Sequence, residues 1–188
     1  MASGEFRKIK QAWNHANLTR HQKLEYFQAF VVPRLQYLLS TAWLVRAQRR
    51  RLDGFYARCL RKILGIPAAF ISRVPNAKVF EEAGRLPLSE QLLRHQLMLL
   101  GRVGRSPSGS PLRRDTFVGG TALPMIGSHV RRVGRPRQDW TSQVLAEAER
   151  RAGSHGQLVR SLLDVSADAE QRWKPHRQGW PRAEVKPY

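Results

Sequence analysis

The densest chemical signal in the chain is a set of five cations spaced to share one face of a helix. Over about Ala47 to Leu64, at about 100° per residue, Leu52, Phe55, Tyr56, Cys59, Leu60 and Ile63 fall on one side. Arg50, Arg51, Arg58, Arg61 and Lys62 fall on the other. Guanidinium groups grouped in this way suit phosphate oxygens, which they grip bidentately and with little loss on partial desolvation. The plain alternative is a solvated helix face, but such faces normally mix signs, and here only Asp53 interrupts, at the edge of the apolar stripe. A second basic feature is Arg131-Arg132-Val133-Gly134-Arg135-Pro136-Arg137. Its Gly-Arg-Pro core matches the short motif that lies extended in the minor groove of A·T-rich DNA, where Pro fixes the backbone and Arg fills the groove. Non-specific phosphate binding by a flexible basic linker has the same composition. The candidate nucleic-acid-binding residues are therefore Arg50, Arg51, Arg58, Arg61, Lys62, Arg131, Arg132, Arg135 and Arg137.

Catalytic chemistry does not assemble from the remaining residues. The acids are scattered among basics, where solvated ion pairs are the ordinary outcome. No two carboxylates have the short spacing that holds a pair of metal ions for phosphoryl transfer. The histidines at 15, 21, 95, 129, 155 and 176 form no metal-ligand pattern. Gly119 and Gly120 lack the strand, helix and Lys of a phosphate loop. One cysteine, Cys59, excludes an intrachain disulfide and a Cys-based zinc finger, and its neighbours Phe55 and Ile63 place it in the core. No catalytic residue, metal ligand or cofactor is expected.

The whole chain carries the same sign. Among 188 residues, 33 Lys and Arg face 14 Asp and Glu, a formal +19. That self-repulsion points to an anionic partner, nucleic acid before a membrane surface. No apolar stretch spans a bilayer, the longest being Leu35 to Val45, and Met1 to Lys10 has no apolar core. The expectation is an intracellular protein, nuclear or cytoplasmic, not secreted and without a membrane partner. At 41% hydrophobic residues the chain can build a core.

The elements that must position these cations read as helices throughout. Thr19 and Gln22 form a capping box for a helix through Leu24, Phe27, Phe30 and Val31. Pro33 should break it, with a second piece from Arg34 to about Val45. The Ala47 to Leu64 helix stops at Gly65, a third helical region runs from near Asn76 to Gly84, and Ser89 caps a fourth. The core stripe of that fourth helix is Leu92, Leu93, Gln96, Leu99, Leu100 and Val103. From Gly104 to Pro136, Gly, Pro and Ser crowd the chain and no period survives, so this stretch reads as a basic linker. Asp139 then caps a helix through Trp140, Val144, Leu145 and Ala148, and a last helical stretch runs near Leu158 to Trp173. Trp43 and Trp140, on apolar faces, read as core anchors. The expected architecture is all-α: an arm over 1–17, a small helical bundle over 18–103, the linker over 104–137, a C-terminal helical segment over 138–174 and a polar tail over 175–188.

Several ordered strings carry a resemblance. They are Phe30-Val31-Val32-Pro33-Arg34-Leu35-Gln36-Tyr37, Thr41-Ala42-Trp43, Leu52-Asp53-Gly54-Phe55, Arg58-Cys59-Leu60-Arg61-Lys62-Ile63-Leu64-Gly65-Ile66 and Ile71-Ser72-Arg73-Val74. They continue with Leu99-Leu100-Gly101-Arg102-Val103, Gly134-Arg135-Pro136-Arg137-Gln138-Asp139-Trp140 and the ending Ala167-Asp168-Ala169-Glu170-Gln171-Arg172-Trp173. In order and spacing, from about Leu24 to Trp173, they resemble the thumb and connector just beyond the polymerase core in reverse transcriptases of non-LTR (LINE-type) retrotransposons. The family usually has Tyr-Gly at Tyr37-Leu38 and Gly-His-Val at Gly101-Arg102-Val103. The Tyr-x-Asp-Asp motif with the polymerase acids is missing, as are the fingers and palm, so the chain looks like a truncated copy that begins past the active site. The resemblance implies a thumb-like bundle whose helix lies along a template–primer duplex.

The expected function is therefore non-catalytic, non-specific binding to the backbone of RNA, an RNA–DNA hybrid or DNA, with a polymerase core in trans as a further partner. Two alternatives stand beside it. One is a decayed transposon fragment with no selected function, the other an exapted DNA-binding or protein-interaction adaptor that uses the Gly-Arg-Pro segment.

Overall fold

A computed structural model describes residues 4, 11, 13, 17–119, 121, 123, 124 and 139–152. Among them the chain is helical, with no strand and a single isolated bridge between Phe117 and Pro124. The all-α expectation holds. The chain divides into two compact units, 1–95 and 96–188.

Gly4, Gln11 and Trp13 are already helical in the first unit, and the first helix with defined bounds is α1, Arg20–Phe30. Thr19 stands at its N-cap: the Gln22 backbone N–H donates to Thr19 Oγ1 at 3.3 Å, and the Thr19 N–H donates to Gln22 Oε1 at 2.9 Å. Two of the donors orphaned at a helix start are thus satisfied by residues three apart. Val31 interrupts the helix and α2, Val32–Leu39, begins at once, with Pro33 in its first turn. Pro cannot donate the bond that would have joined the two pieces. The second piece stops at Leu39 rather than near Val45. The chain then runs to Val45, where the backbone is extended and its N–H donates to Gln48 Oε1 at 3.0 Å.

That contact starts α3, Arg46–Leu64, which carries the candidate face. Gly65 ends it in the left-handed conformation at φ 78°, and the Ile66 N–H returns to the Arg61 carbonyl at 2.9 Å. A single turn, α4 (Ala69–Ser72), precedes Arg73, whose φ of 53° is also left-handed. Then come α5, Asn76–Glu82, and α6, Leu88–Gly104.

The core of the first unit lies where α3 meets α1 and α5. Phe27, Tyr56 and Phe80 stack in series with ring centroids 5.7 and 5.9 Å apart. Tyr56 is fully buried, so its hydroxyl needs partners. It donates to Gln28 Oε1 at 3.2 Å and accepts from Gln91 Nε2 at 3.3 Å, while Gln28 Nε2 donates to Gln91 Oε1 at 3.0 Å. The loop of three hydrogen bonds ties α1, α3 and α6 together around one phenol. Cys59 sits in the core as expected, and burial pushes its thiol up to about 12.

The start of α6 departs from expectation. Ser89 is not the cap, because the helix begins one residue earlier. The cap comes from another element: Asp53 of α3 accepts the Ser89 N–H at 2.8 Å and the Ser89 hydroxyl at 2.6 Å. A carboxylate at a helix N-terminus satisfies orphaned donors and meets the positive end of the dipole.

In the second unit, Gln96, Leu97, Leu100 and Val103 of α6 are buried and Leu99 is half-buried. The stretch after Gly104 is not loop throughout. Pro111–Thr116 forms α7, Arg113 is buried, and its guanidinium donates to the Ser106 carbonyl at 2.6 Å. Pro111 in the first turn fixes a helical φ where no donor is needed. The last described element, α8, spans Trp140–Ala152 with Val144, Leu145 and Ala148 buried. Asp139 caps it as expected, accepting the Ser142 N–H at 3.0 Å. The helix expected over Leu158 to Trp173 lies outside the described residues.

Candidate nucleic-acid interface

A cation of α3 can meet a partner only if its side chain reaches solvent. Arg50, Arg51, Arg58 and Lys62 are exposed. Arg51, Arg58 and Lys62 follow one another at seven and four residues, so they line a single side of the helix. Arg51 and Arg58 make no hydrogen bond or ion pair among the described residues.

Arg61 does not reach solvent, which corrects the expectation that it belongs to the binding face. It is only 4% exposed. Its guanidinium donates to the Pro67 carbonyl at 3.3 Å, Ser72 Oγ at 3.3 Å, the Val74 carbonyl and Asn76 Oδ1 at 3.1 Å. The planar fork of donors matches acceptors arranged round it, which a flexible ammonium could not do. Arg61 is the bolt between the last turn of α3 and the chain from Ile66 to Asn76. The physical reason for the misreading is the width of the buried arc. Ala57 and Leu64, which flank Arg61 on the helix surface, are buried as well, so the arc at this end of α3 is wider than the apolar stripe alone.

Asp53 is the only acid on α3, and it faces α6 rather than the cationic side. Burial raises its carboxyl above the ordinary value, while the bonds from Ser89 and Leu88 and the charge of Arg49 oppose that rise. The exposed side of α3 therefore carries basic residues and no acid of its own helix. At the other end, the Arg49 guanidinium lies 4.2 Å from the ring centre of Trp43 and donates to the Leu44 carbonyl at 3.0 Å. Trp43 is thus half-buried under a cation rather than a core anchor. Trp140 is half-buried too, and its indole N–H has no hydrogen-bond partner among the described residues.

Further exposed cations were missed from the sequence. Arg46 opens α3, and Arg73 and Lys78 stand beyond its far end. The signal was available: from Gly54 to Phe80 there are five Lys and Arg and no acid. Arg131, Arg132, Arg135 and Arg137 lie outside the described residues. Among those described, no group of acids, His and Cys could hold a metal ion, and no helix is long and apolar enough to cross a membrane. Protein-family models, curated proteins and solved structures contain no match to this chain.

Proposed function

We propose that this chain is a non-catalytic nucleic-acid-binding module that holds the backbone of an RNA, RNA–DNA hybrid or DNA duplex without sequence specificity. In this reading it acts as the thumb of a LINE-type reverse transcriptase does, along a template–primer duplex. The observation that carries it is the exposed side of α3: Arg51, Arg58 and Lys62 in line, Arg50 beside them, and the helix's one acid occupied with capping α6. Duplex phosphates are closely spaced, so a rigid row of cations neutralises several without reordering.

Binding that releases counterions weakens linearly with salt on a log–log plot, with a slope near −0.9 per phosphate on B-form DNA. Changing Arg51, Arg58 and Lys62 to Gln leaves the core and the Arg61 contacts intact. Helical circular dichroism should stay as in the parent, duplex affinity should fall, and the slope should become shallower by about two to three units. Arg94→Gln with Arg150→Gln, at residues whose nearest acids are Glu90 and Glu147, is the control and should cost far less. Parent-like binding by the triple variant, with loss in the control, refutes the assignment to α3. A strong preference for A·T-rich DNA that survives the triple change moves the function to Arg131 to Arg137.

A further inference from the structure

The chain beyond α3 presents an apolar tip that the core does not use. Phe70 is 84% exposed and Ile71 65% exposed, at the crown of α4, with Pro67, Ala68 and Ala69 also open to solvent. Phe70 makes no ring contact among the described residues. By contrast, the exposed Tyr26 and Phe30 stack on each other with centroids 6.1 Å apart. Phe70 and Ile71, next to the open Pro67, Ala68 and Ala69, make a run of exposed apolar residues rather than a single one, and such runs mark interaction sites.

Hydrogen bonds hold the tip in place where packing does not. Arg61 reaches from α3 to carbonyls on both sides of it, at Pro67 and Val74, and to Ser72 Oγ. The Ser72 hydroxyl donates back to the Pro67 and Ala68 carbonyls, both at 3.2 Å. The ring is therefore presented on a fixed platform, so little ordering entropy is lost when it is covered. Along the chain it is flanked by one sign of charge. Lys62 precedes it, Arg73 and Lys78 follow, all exposed, and no acid occurs between Asp53 and Glu81. Arg73 also holds a left-handed φ of 53°, a conformation a glycine would take more readily, yet a cation stands there.

A flat apolar ring between cations is complementary to a base between phosphates. Resting on the duplex reading of α3, we propose that the Phe70–Ile71 tip stacks on an unpaired nucleobase beside the duplex, with Lys62 and Arg73 on the flanking phosphates. The protein would then favour a junction between double and single strand over a blunt end. Aromatic stacking is indifferent to base identity, which fits a non-specific binder. A lipid surface is the weaker fit, because α4 is a single turn without the long apolar face that interfacial helices bury.

The test uses the full chain and two probes: a blunt duplex, and the same duplex with a short single-stranded overhang whose first unpaired base is a fluorescent adenine analogue. The parent should bind the overhang more tightly and quench the analogue. Phe70→Ala should lose roughly five- to 150-fold on the overhang and leave the blunt duplex within twofold. Phe70→Trp should restore both affinity and quenching, which separates stacking from a folding defect. Equal affinity of parent and Phe70→Ala for the overhang, or equal loss on both probes, overturns the proposal. Salt-dependent duplex binding with no preference for the overhang sinks the tip alone, whereas no binding to either probe sinks the α3 reading with it. Phe70-dependent binding to vesicles containing phosphatidylserine, without overhang preference, would make the tip a membrane contact and also overturn the proposal.

Discussion

Replacing Arg61 by Met keeps the length and apolar stem of the side chain and removes all of its donors. Four acceptors lose a partner, but not equally. Ser72 Oγ and the Pro67 carbonyl remain bonded to each other at 3.2 Å, and the exposed Asn76 can turn to water. The half-buried Val74 carbonyl has no replacement of that kind. A hydrogen bond to a charged group contributes about 1.5–3 kcal/mol net, and the weaker contacts add roughly one more. Removing the cost of burying the guanidinium returns part of this. The expected loss is about 2–4 kcal/mol, or roughly 10–30 °C in Tm for a unit of this size. Arg58→Met, three residues earlier and exposed, should stay within about 0.5 kcal/mol of the parent. Thermal unfolding followed by circular dichroism measures both. Limited trypsin digestion adds a local readout, since release of the 66–76 segment should speed cleavage after Arg73. Arg61→Lys should fall near Met, because one ammonium cannot span the four acceptors. If Arg61→Met melts and resists trypsin like Arg58→Met, then Arg61 does not bolt the 66–76 segment to α3 and belongs with the binding face.

Two carboxylates make opposite predictions with pH. Asp53→Ala should cost about 1–2 kcal/mol in denaturant unfolding, the usual loss for an N-cap. Burial raises the Asp53 carboxyl above its ordinary 3.8, so its contribution is complete below that value and declines as pH rises through the raised one. The gap between parent and Asp53→Asn should therefore move in favour of Asn between acid and neutral pH, and a shift in favour of the parent refutes the burial argument. For Glu147, burial opposes ionisation, but hydrogen bonds from Arg150 and Arg151 outweigh it and hold the carboxyl below 4.5. Its contribution is present above that value and lost as pH falls through the lowered one. The advantage of the parent over Glu147→Gln, read from urea unfolding of α8, should disappear in acid, and an advantage that persists there would refute the assignment.

What was legible in the sequence depends on how far away each partner lies. Thr19 and Gln22, Pro33, Gly65 and Asp139 act on backbone within four residues, and all four perform the role their local pattern indicates. Ser89 looked like a cap because its own hydroxyl suits one, yet the acceptor at α6 belongs to Asp53, 36 residues earlier. No window on the sequence around Ser89 contains that contact. Arg61 was misplaced for the same reason: helical periodicity sorts residues by side but does not record a segment folding back over the end of that side. Arg61 and the Asp53 that caps Ser89 are connected through the face that remains. α3 turns one acid and one base inward, each to hold a neighbouring segment. Removing Arg61 from the outer side leaves other bases there, but removing Asp53 leaves no acid of the helix. A helix of seven bases and one acid can present a face of mixed sign or of single sign, and the Asp53–Ser89 contact decides which. The cap of α6 and the charge of the proposed interface are therefore set by the same carboxylate.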